Sequence, residues 1–275
     1  MAGSMNGGPP DDPSILDPET IARVYHQRRA QAGVWRRLIR GMKMPWMTWS
    51  LVGIVVLLHL IAGVQQYLVG AGNLAGILVG QRPQAVLIDM GAMYAPAVQA
   101  GEVWRLVSCV FLHGDGTHIL LNAVALYGLG RLWEGVVGPL RLLWIFLLSG
   151  LGGALLSYMG GNVASVGASG SIFGLMGACM VFGWRFRVQL PPHIGELFRR
   201  KLLPWVGLNL FIGYVIPFID NLGHVGGLIS GAAVAMVSGN QIIPGNDGSA
   251  SGKLLMGVGS CFLLALALLG VVVFQ

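Results

Sequence analysis

Beginning at Trp46, the chain passes through seven apolar stretches, at about 47–70, 118–137, 140–159, 169–184, 202–218, 223–239 and 254–274. A hydrocarbon layer about 30 Å thick takes about 20 apolar helical residues to cross, since each residue advances about 1.5 Å. Lipid offers no partner to a backbone N–H or C=O, so such stretches are expected to be helices that satisfy their own backbone. Composition agrees: 55% of the 275 residues are hydrophobic and 10% are charged, whereas soluble domains carry about 25% charged residues. A soluble enzyme, a disordered chain and a disulfide scaffold are excluded. The 43 glycines have no three-residue period and sit among Leu, Val and Ala, which suits membrane helices whose backbones pack closely. Cys109, Cys179 and Cys261 form no CxxC pair and lie in or beside apolar runs, so they read as buried thiols.

Residues 1–44 are polar and hold no apolar signal-peptide core. Within them, 18–43 mixes Arg28, Arg29, Arg36 and Arg37 with Ile21, Val24, Val34 and Leu38. This pattern fits a basic amphipathic helix on the membrane surface, or equally a solvated tail that helps set topology. Of the 17 Lys and Arg, seven lie between Arg23 and Lys43. Arg131, Arg141, Arg185, Arg187, Arg199, Arg200, Lys201 and Lys253 fall in connections on the same side, leaving Arg82 and Arg105 opposite. The positive-inside bias predicts a cytoplasmic N-terminus and an external C-terminus. The net charge of +6 is thus a topology signal, and no nucleic-acid partner is expected. The connection at 71–117 is too long to be structureless, so it should hold short helices, some at the membrane interface.

With this topology His118, Asn122, Ser169 and His224 all fall near the outer ends of their spans. The fourth and sixth spans cover roughly 22 Å each, short of the hydrocarbon thickness, so Ser169 and His224 start at a matching depth below the outer interface. A buried Ser and His at one depth form a candidate nucleophile and base. Gly170 and Gly174 lie one turn apart beside Ser169, and Gly227 and Gly231 lie on the face of His224. Small residues at that spacing let two helix backbones meet closely enough for a short hydroxyl to reach an imidazole. His118 and Asn122, four apart, share a face and can donate to a developing oxyanion with the Ser169 N–H; the alternative is a polar clamp between helices.

No HExxH occurs, and no carboxylate lies in the apolar centre of a span, which disfavours a zinc protease, an aspartyl protease and most proton-coupled pumps. His113, His118 and His224 match no usual zinc spacing; no metal and no cofactor are expected. Asp220 lies one turn before His224 at the expected interface, so a dyad is favoured over a triad.

These residues resemble the rhomboid intramembrane serine proteases over about residues 85–239. Gly101-Glu102-Val103-Trp104-Arg105 is similar to the first-loop Trp-Arg motif, and His113, His118 and Asn122 to the family's HxxxxHxxxN pattern. Gly167-Ala168-Ser169-Gly170 resembles the GxSG nucleophile motif, and His224-Val225-Gly226-Gly227 with Gly231 the HxxGxxxG helix. The resemblance implies a Ser169–His224 dyad cleaving transmembrane substrates near their outer ends. It implies an oxyanion hole from His118, Asn122 and the Ser169 N–H, supported by Gly167. It makes His113, Trp104 and Arg105 stabilisers of the first loop, the last two at the interface. Phe173 stands where some members carry a Tyr that stacks on the histidine; the ring remains and the hydroxyl is lost.

The expected fold class is therefore an all-α polytopic membrane protein, a six-helix rhomboid core plus a C-terminal seventh transmembrane helix. The division is a cytoplasmic basic segment at 1–44, the core at 45–239, and a linker with the seventh helix at 240–275. A bacterial plasma membrane is the preferred setting, with the bilayer and transmembrane proteins as partners. Two rivals predict otherwise: a catalytically inactive rhomboid-like protein that binds or escorts membrane proteins, and a small-solute transporter. The first usually lacks the Ser or the His; the second calls for inverted repeats and a mid-membrane site, neither of which is evident.

Overall fold

A computed structural model gives the fold and describes residues 17–216 and 218–245. The stretch at 254–274, with Lys253 and Cys261, lies outside the described residues. Helix α1 (Pro18–Gly41) is capped by Asp17, whose carboxylate accepts the Glu19 and Thr20 N–H groups at 2.9 Å. Only Val34 and Leu38 are buried along it. Gln31 donates to the Val188 carbonyl at 3.1 Å, and Arg37 to the Ile242 carbonyl at 2.7 Å. The basic segment is thus helical, exposed over its first half and fastened to the protein at its end.

Helix α2 (Trp46–Leu68) leads into the long connection, which holds α3 (Gly76–Val79), α4 (Gln84–Asp89), β1 (Met93–Tyr94), α5 (Ala95–Gln99) and α6 (Arg105–Ser108). A 3₁₀ turn at Cys109–Phe111 follows, and the chain then bends by 91° into α7 (Gly116–Val137). Helix α8 (Pro139–Met159), β2 (Ala164–Ser165) and α9 (Ser169–Arg185) come next. Helix α10 (Pro192–Glu196) passes through a π turn at Leu197–Lys201 into α11 (Leu202–Val215), and α12 (Asn221–Val237) closes the order.

Each expected apolar stretch between Trp46 and Val237 is helical. Among the described residues α2 and α8 are long and apolar enough to cross a membrane alone, with mean hydropathies of 2.1 and 1.8. Helix α7 passes only with the bent Arg105–Phe111 segment. Helices α9 and α12 run 17 residues each, the short lengths expected of them.

The centre of the fold is the packing of α8, α9 and α12. Helix α9 is buried at nearly every position from Ser171 to Gly183, as a helix apolar all round must be. It meets α12 through glycine on both sides. A Cβ at Gly227 would strike the Gly170 carbonyl, and one at Gly231 the Gly174 backbone. A Cβ at Gly153 on α8 would come within 2.6 Å of the Gly223 carbonyl. Cys109 and Cys179 are free and buried.

Two polar ties set the ends of this packing. β1 pairs antiparallel with β2, Met93 opposite Ser165 and Tyr94 opposite Ala164, which joins the first connection to the loop before α9. At the other end, Glu134 in the last turn of α7 is 3% exposed. Its carboxylate accepts the Met47 N–H at 3.1 Å, the Thr48 N–H at 2.8 Å and the Thr48 hydroxyl at 2.7 Å. It therefore caps the start of α2 from a neighbouring helix, where orphan N–H groups and the positive end of the helix dipole favour an anion. Glu134→Gln replaces one acceptor with a donor facing those groups. The variant is expected to lose about 1.5–3 kcal/mol, seen as a lower Tm in detergent with faster amide exchange at Met47 and Thr48.

Candidate functional site

Ser169 is the first residue of α9 and His224 sits in the first turn of α12. Because the glycines let these helices touch, the Ser169 Oγ lies 2.9 Å from the His224 Nε2. His224 is buried, and the Phe173 ring stacks on its imidazole with centroids 4.3 Å apart and planes 7° from parallel. Phe173 lies one turn after Ser169 on the same helix, so one helix face supplies both the hydroxyl and the plate that fixes the ring. The His224 Nδ1 is buried with no hydrogen-bond partner among the described residues.

Asp220, the only carboxylate close in sequence to His224, is used elsewhere. Its oxygens accept the Gly223 N–H at 2.8 Å, the Asn162 amide at 2.9 Å and the Ser165 hydroxyl at 2.6 Å. It caps α12 and anchors the loop carrying β2. The pair is therefore a Ser–His contact with no carboxylate hydrogen-bonded to the histidine among the described residues.

Of the other candidates, His118 and His113 lie against Gly167 and Ala168, the two residues before Ser169. Asp115 caps α7 by accepting the His118 N–H at 2.8 Å. The His118 Nδ1 accepts the Gly114 N–H at 3.4 Å, so the neutral ring carries its hydrogen on Nε2. That nitrogen faces a space left by Gly167: a Cβ there would come within 2.8 Å of the His118 Nε2 and 3.8 Å of the Ser169 Oγ. Gly167 also has φ +130°, which side-chain-bearing residues rarely adopt. His113 is buried, accepts the Ala168 N–H at 3.4 Å through Nε2, and meets the His118 ring edge-on at 4.9 Å. It thus holds the residue before Ser169. Asn122 is buried but its amide donates to the His118 carbonyl at 2.9 Å, one turn back on its own helix. Its Oδ1 has no partner among the described residues.

A substitution at Gly167 separates space from fold. Gly167→Ala puts a methyl between His118 and Ser169 and strains the backbone by about 1–3 kcal/mol. Under the oxyanion assignment, turnover is expected to fall at least about 100-fold, the loss that follows when such a hole is spoiled. Circular dichroism should still report a helical protein.

Residues 100–241 match the family model of the Rhomboid domain, a little over half of the chain. The chain belongs to the rhomboid family. RHOMBOID-like protein 5 of Arabidopsis thaliana is 34% identical over 157 residues, covering 55% of this chain and 49% of that protein. Rhomboid protease GluP of Bacillus subtilis (strain 168) is 33% identical over 160 residues, covering 58% of this chain and 31% of that protein. Rhomboid protease AarA of Providencia stuartii is 31% identical over 172 residues, covering 54% and 61%. The rhomboid chain thus spans half or less of the first two relatives and under two thirds of the third.

Two buried ionic residues of this rhomboid are not apparent in its sequence. Glu134 is one. Arg82 is the other: it is 6% exposed, and its guanidinium donates to the carbonyls of His59, Gly76, Ile77 and Gly80 and to the Gln66 side chain. Burial lowers its pKa from the ordinary arginine value; the group still carries charge at neutral pH. Its own N–H donates to the Gly114 carbonyl at 2.7 Å, so α3 and the end of α2 are tied to the turn that presents His118. The lone lysine or arginine in a loop gives no signal of such a role; only its carbonyl cage does. Arg105, expected at the interface, is 7% exposed. It pairs with Glu102 at 2.6 Å, donates to the Ile88 and Ala92 carbonyls, and lies over the Trp104 ring at 4.7 Å. The Trp-Arg motif therefore braces the first connection from within.

Proposed function

We propose that the chain is an intramembrane serine endopeptidase that cleaves transmembrane helices near their outer ends. The observation that carries this reading is the buried 2.9 Å contact between the Ser169 Oγ and the His224 Nε2 across α9 and α12, in a chain of the rhomboid family. Named rhomboid proteases among its relatives support it.

In this mechanism the Ser169 Oγ attacks the scissile carbonyl while the His224 Nε2 takes its proton. The new oxyanion sits in the space beside Gly167, where the His118 Nε2–H and the Ser169 N–H stabilise it, with Asn122 as a further donor once its amide turns from the His118 carbonyl. The C–N bond then breaks, and the imidazolium returns its proton to the leaving amine. Water adds to the acyl-enzyme, again giving its proton to His224, and Ser169 is released with a free carboxylate product. Stacking on Phe173 keeps the imidazole in the plane that serves both transfers, in place of an orienting carboxylate.

The substrate must be a helix that opens locally, because a regular helix keeps its carbonyls in hydrogen bonds. Helix-breaking or small residues are expected at the cut. The same reading makes 1–44 a cytoplasmic segment, 45–239 a six-span core, and 240–275 a linker with a seventh span. It places the N-terminus in the cytoplasm and the C-terminus outside, in a bacterial plasma membrane. A fluorophosphonate probe tests the activation of Ser169. Labelling of the wild type at Ser169, and its loss in His224→Ala, is the expected result; an unlabelled wild type, or equal labelling of His224→Ala, overturns the reading.

A further inference from the structure

The far ends of α9 and α12, opposite Ser169 and His224, border an open apolar groove that the proposed chemistry does not use. It holds about 570 Å³ and is lined by Met180, Val181, Trp184, Arg185 and Met236. Arg185 is the last residue of α9, and its Nη1 donates to the Met236 carbonyl at 2.6 Å, one of the acceptors a helix end leaves over. Arg187 follows, lying over the Trp184 ring at 5.9 Å and donating to the Trp184 carbonyl at 3.3 Å. The groove thus has an apolar wall along two helices, with the Trp184 indole and the Arg185 guanidinium in its lining and the Arg187 guanidinium lying over that indole.

We propose that this groove binds an anionic glycerophospholipid, an acyl chain against Met180, Val181 and Met236 and the phosphate on Arg185 and Arg187. Three features fit a lipid. The chain is a membrane protein with apolar helices. The two charges sit together at one end of the apolar wall, as the head and tail of a phospholipid require. An indole beside them suits the headgroup level, where Trp concentrates. Basic pockets between membrane helices are a recurrent way of holding anionic headgroups. Guanidinium groups also offer paired donors to phosphate oxygens, and one of Arg185's five is engaged by Met236. Arg199 and Arg200, on the π turn, bear charge outside this groove and serve as the internal comparison.

The test is native mass spectrometry of the full chain in detergent. It is run with added phosphatidylglycerol, with phosphatidylcholine, and with inorganic phosphate alone. Retention of phosphatidylglycerol over both others is expected. Arg185→Gln with Arg187→Gln should reduce it about tenfold or more, while Arg199→Gln with Arg200→Gln leaves it unchanged. Met236→Trp, which fills the groove and keeps both arginines, should also reduce it. Equal retention in the Arg185/Arg187 variant overturns the proposal. So does an equal loss in the Arg199/Arg200 variant, which marks unspecific charge, and full retention in Met236→Trp, which leaves the groove to another occupant such as residues 246–275. The readout needs no proteolysis, so its failure is distinct from that of the protease reading.

Discussion

Replacing Ser169 by Ala is expected to lower the cleavage rate of a transmembrane reporter by a factor of about 10⁴ to 10⁶. Under the proposed mechanism the nucleophile is then absent, and what survives is water attack aided by the proposed oxyanion donors. His224→Ala should cost a comparable factor, because the Ser hydroxyl at its ordinary pKa is a poor nucleophile without a base 2.9 Å away. The decisive feature is the double variant. Two residues acting as one unit should not add, so Ser169→Ala with His224→Ala should be no slower than either alone. Losses that multiply would mean that the two side chains act separately. Ser169→Ala should keep the wild-type Tm within a few degrees, since it removes a single hydroxyl, whereas His224→Ala also removes the buried ring stacked on Phe173 and should lower Tm further.

The second large effect concerns packing. Gly231→Ala adds one methyl where the Gly174 backbone already stands. Backbone cannot turn aside as the end of a flexible side chain can, so α12 must shift. Overpacking of this kind costs about 1–3 kcal/mol. The shift also moves His224, two turns earlier on α12, relative to Ser169. Turnover should therefore fall more than stability alone explains, with kcat reduced and KM little changed. Gly53→Ala on α2 is the control. Nothing lies within 4 Å of a Cβ there, and the change should be neutral or slightly stabilising, as Ala favours helix over Gly. If both variants lost activity equally, close approach at Gly231 would not be what matters.

Much of this arrangement was legible in the chain, and the reason is local. The apolar stretches mark α2, α7, α8, α9, α11 and α12 because lipid-facing and buried helices alike exclude charge. Ser169 and His224 stand out because each opens a short helix: Gly170 and Gly174 stand one turn apart beside Ser169, and Gly227 and Gly231 lie on the face of His224. Such spacing reports a close approach without naming the partner. The first connection, α3 to α6, was predictable from its length alone. What the sequence did not disclose depends on partners distant along the chain. Glu134 looks like a residue at an ordinary span end, yet it caps α2 from 86 residues away. Arg82 looks like a loop cation on the outer side, yet four backbone carbonyls enclose it. The Asn122 amide was expected toward the reaction space and instead bonds the His118 carbonyl, a choice between two acceptors that spacing does not decide. Arg105 lies inside the first connection because a salt bridge and two carbonyls offset the cost of its burial.

The most direct measurement of the central claim is the product itself. The wild-type chain would be reconstituted in liposomes with a reporter whose transmembrane helix carries a helix-breaking residue near its outer end. The fragments would then be weighed by mass spectrometry. The account predicts one cut within the apolar segment near that end, and no cut by Ser169→Ala. An intact reporter with wild-type protein, or the same fragments from Ser169→Ala, would contradict it.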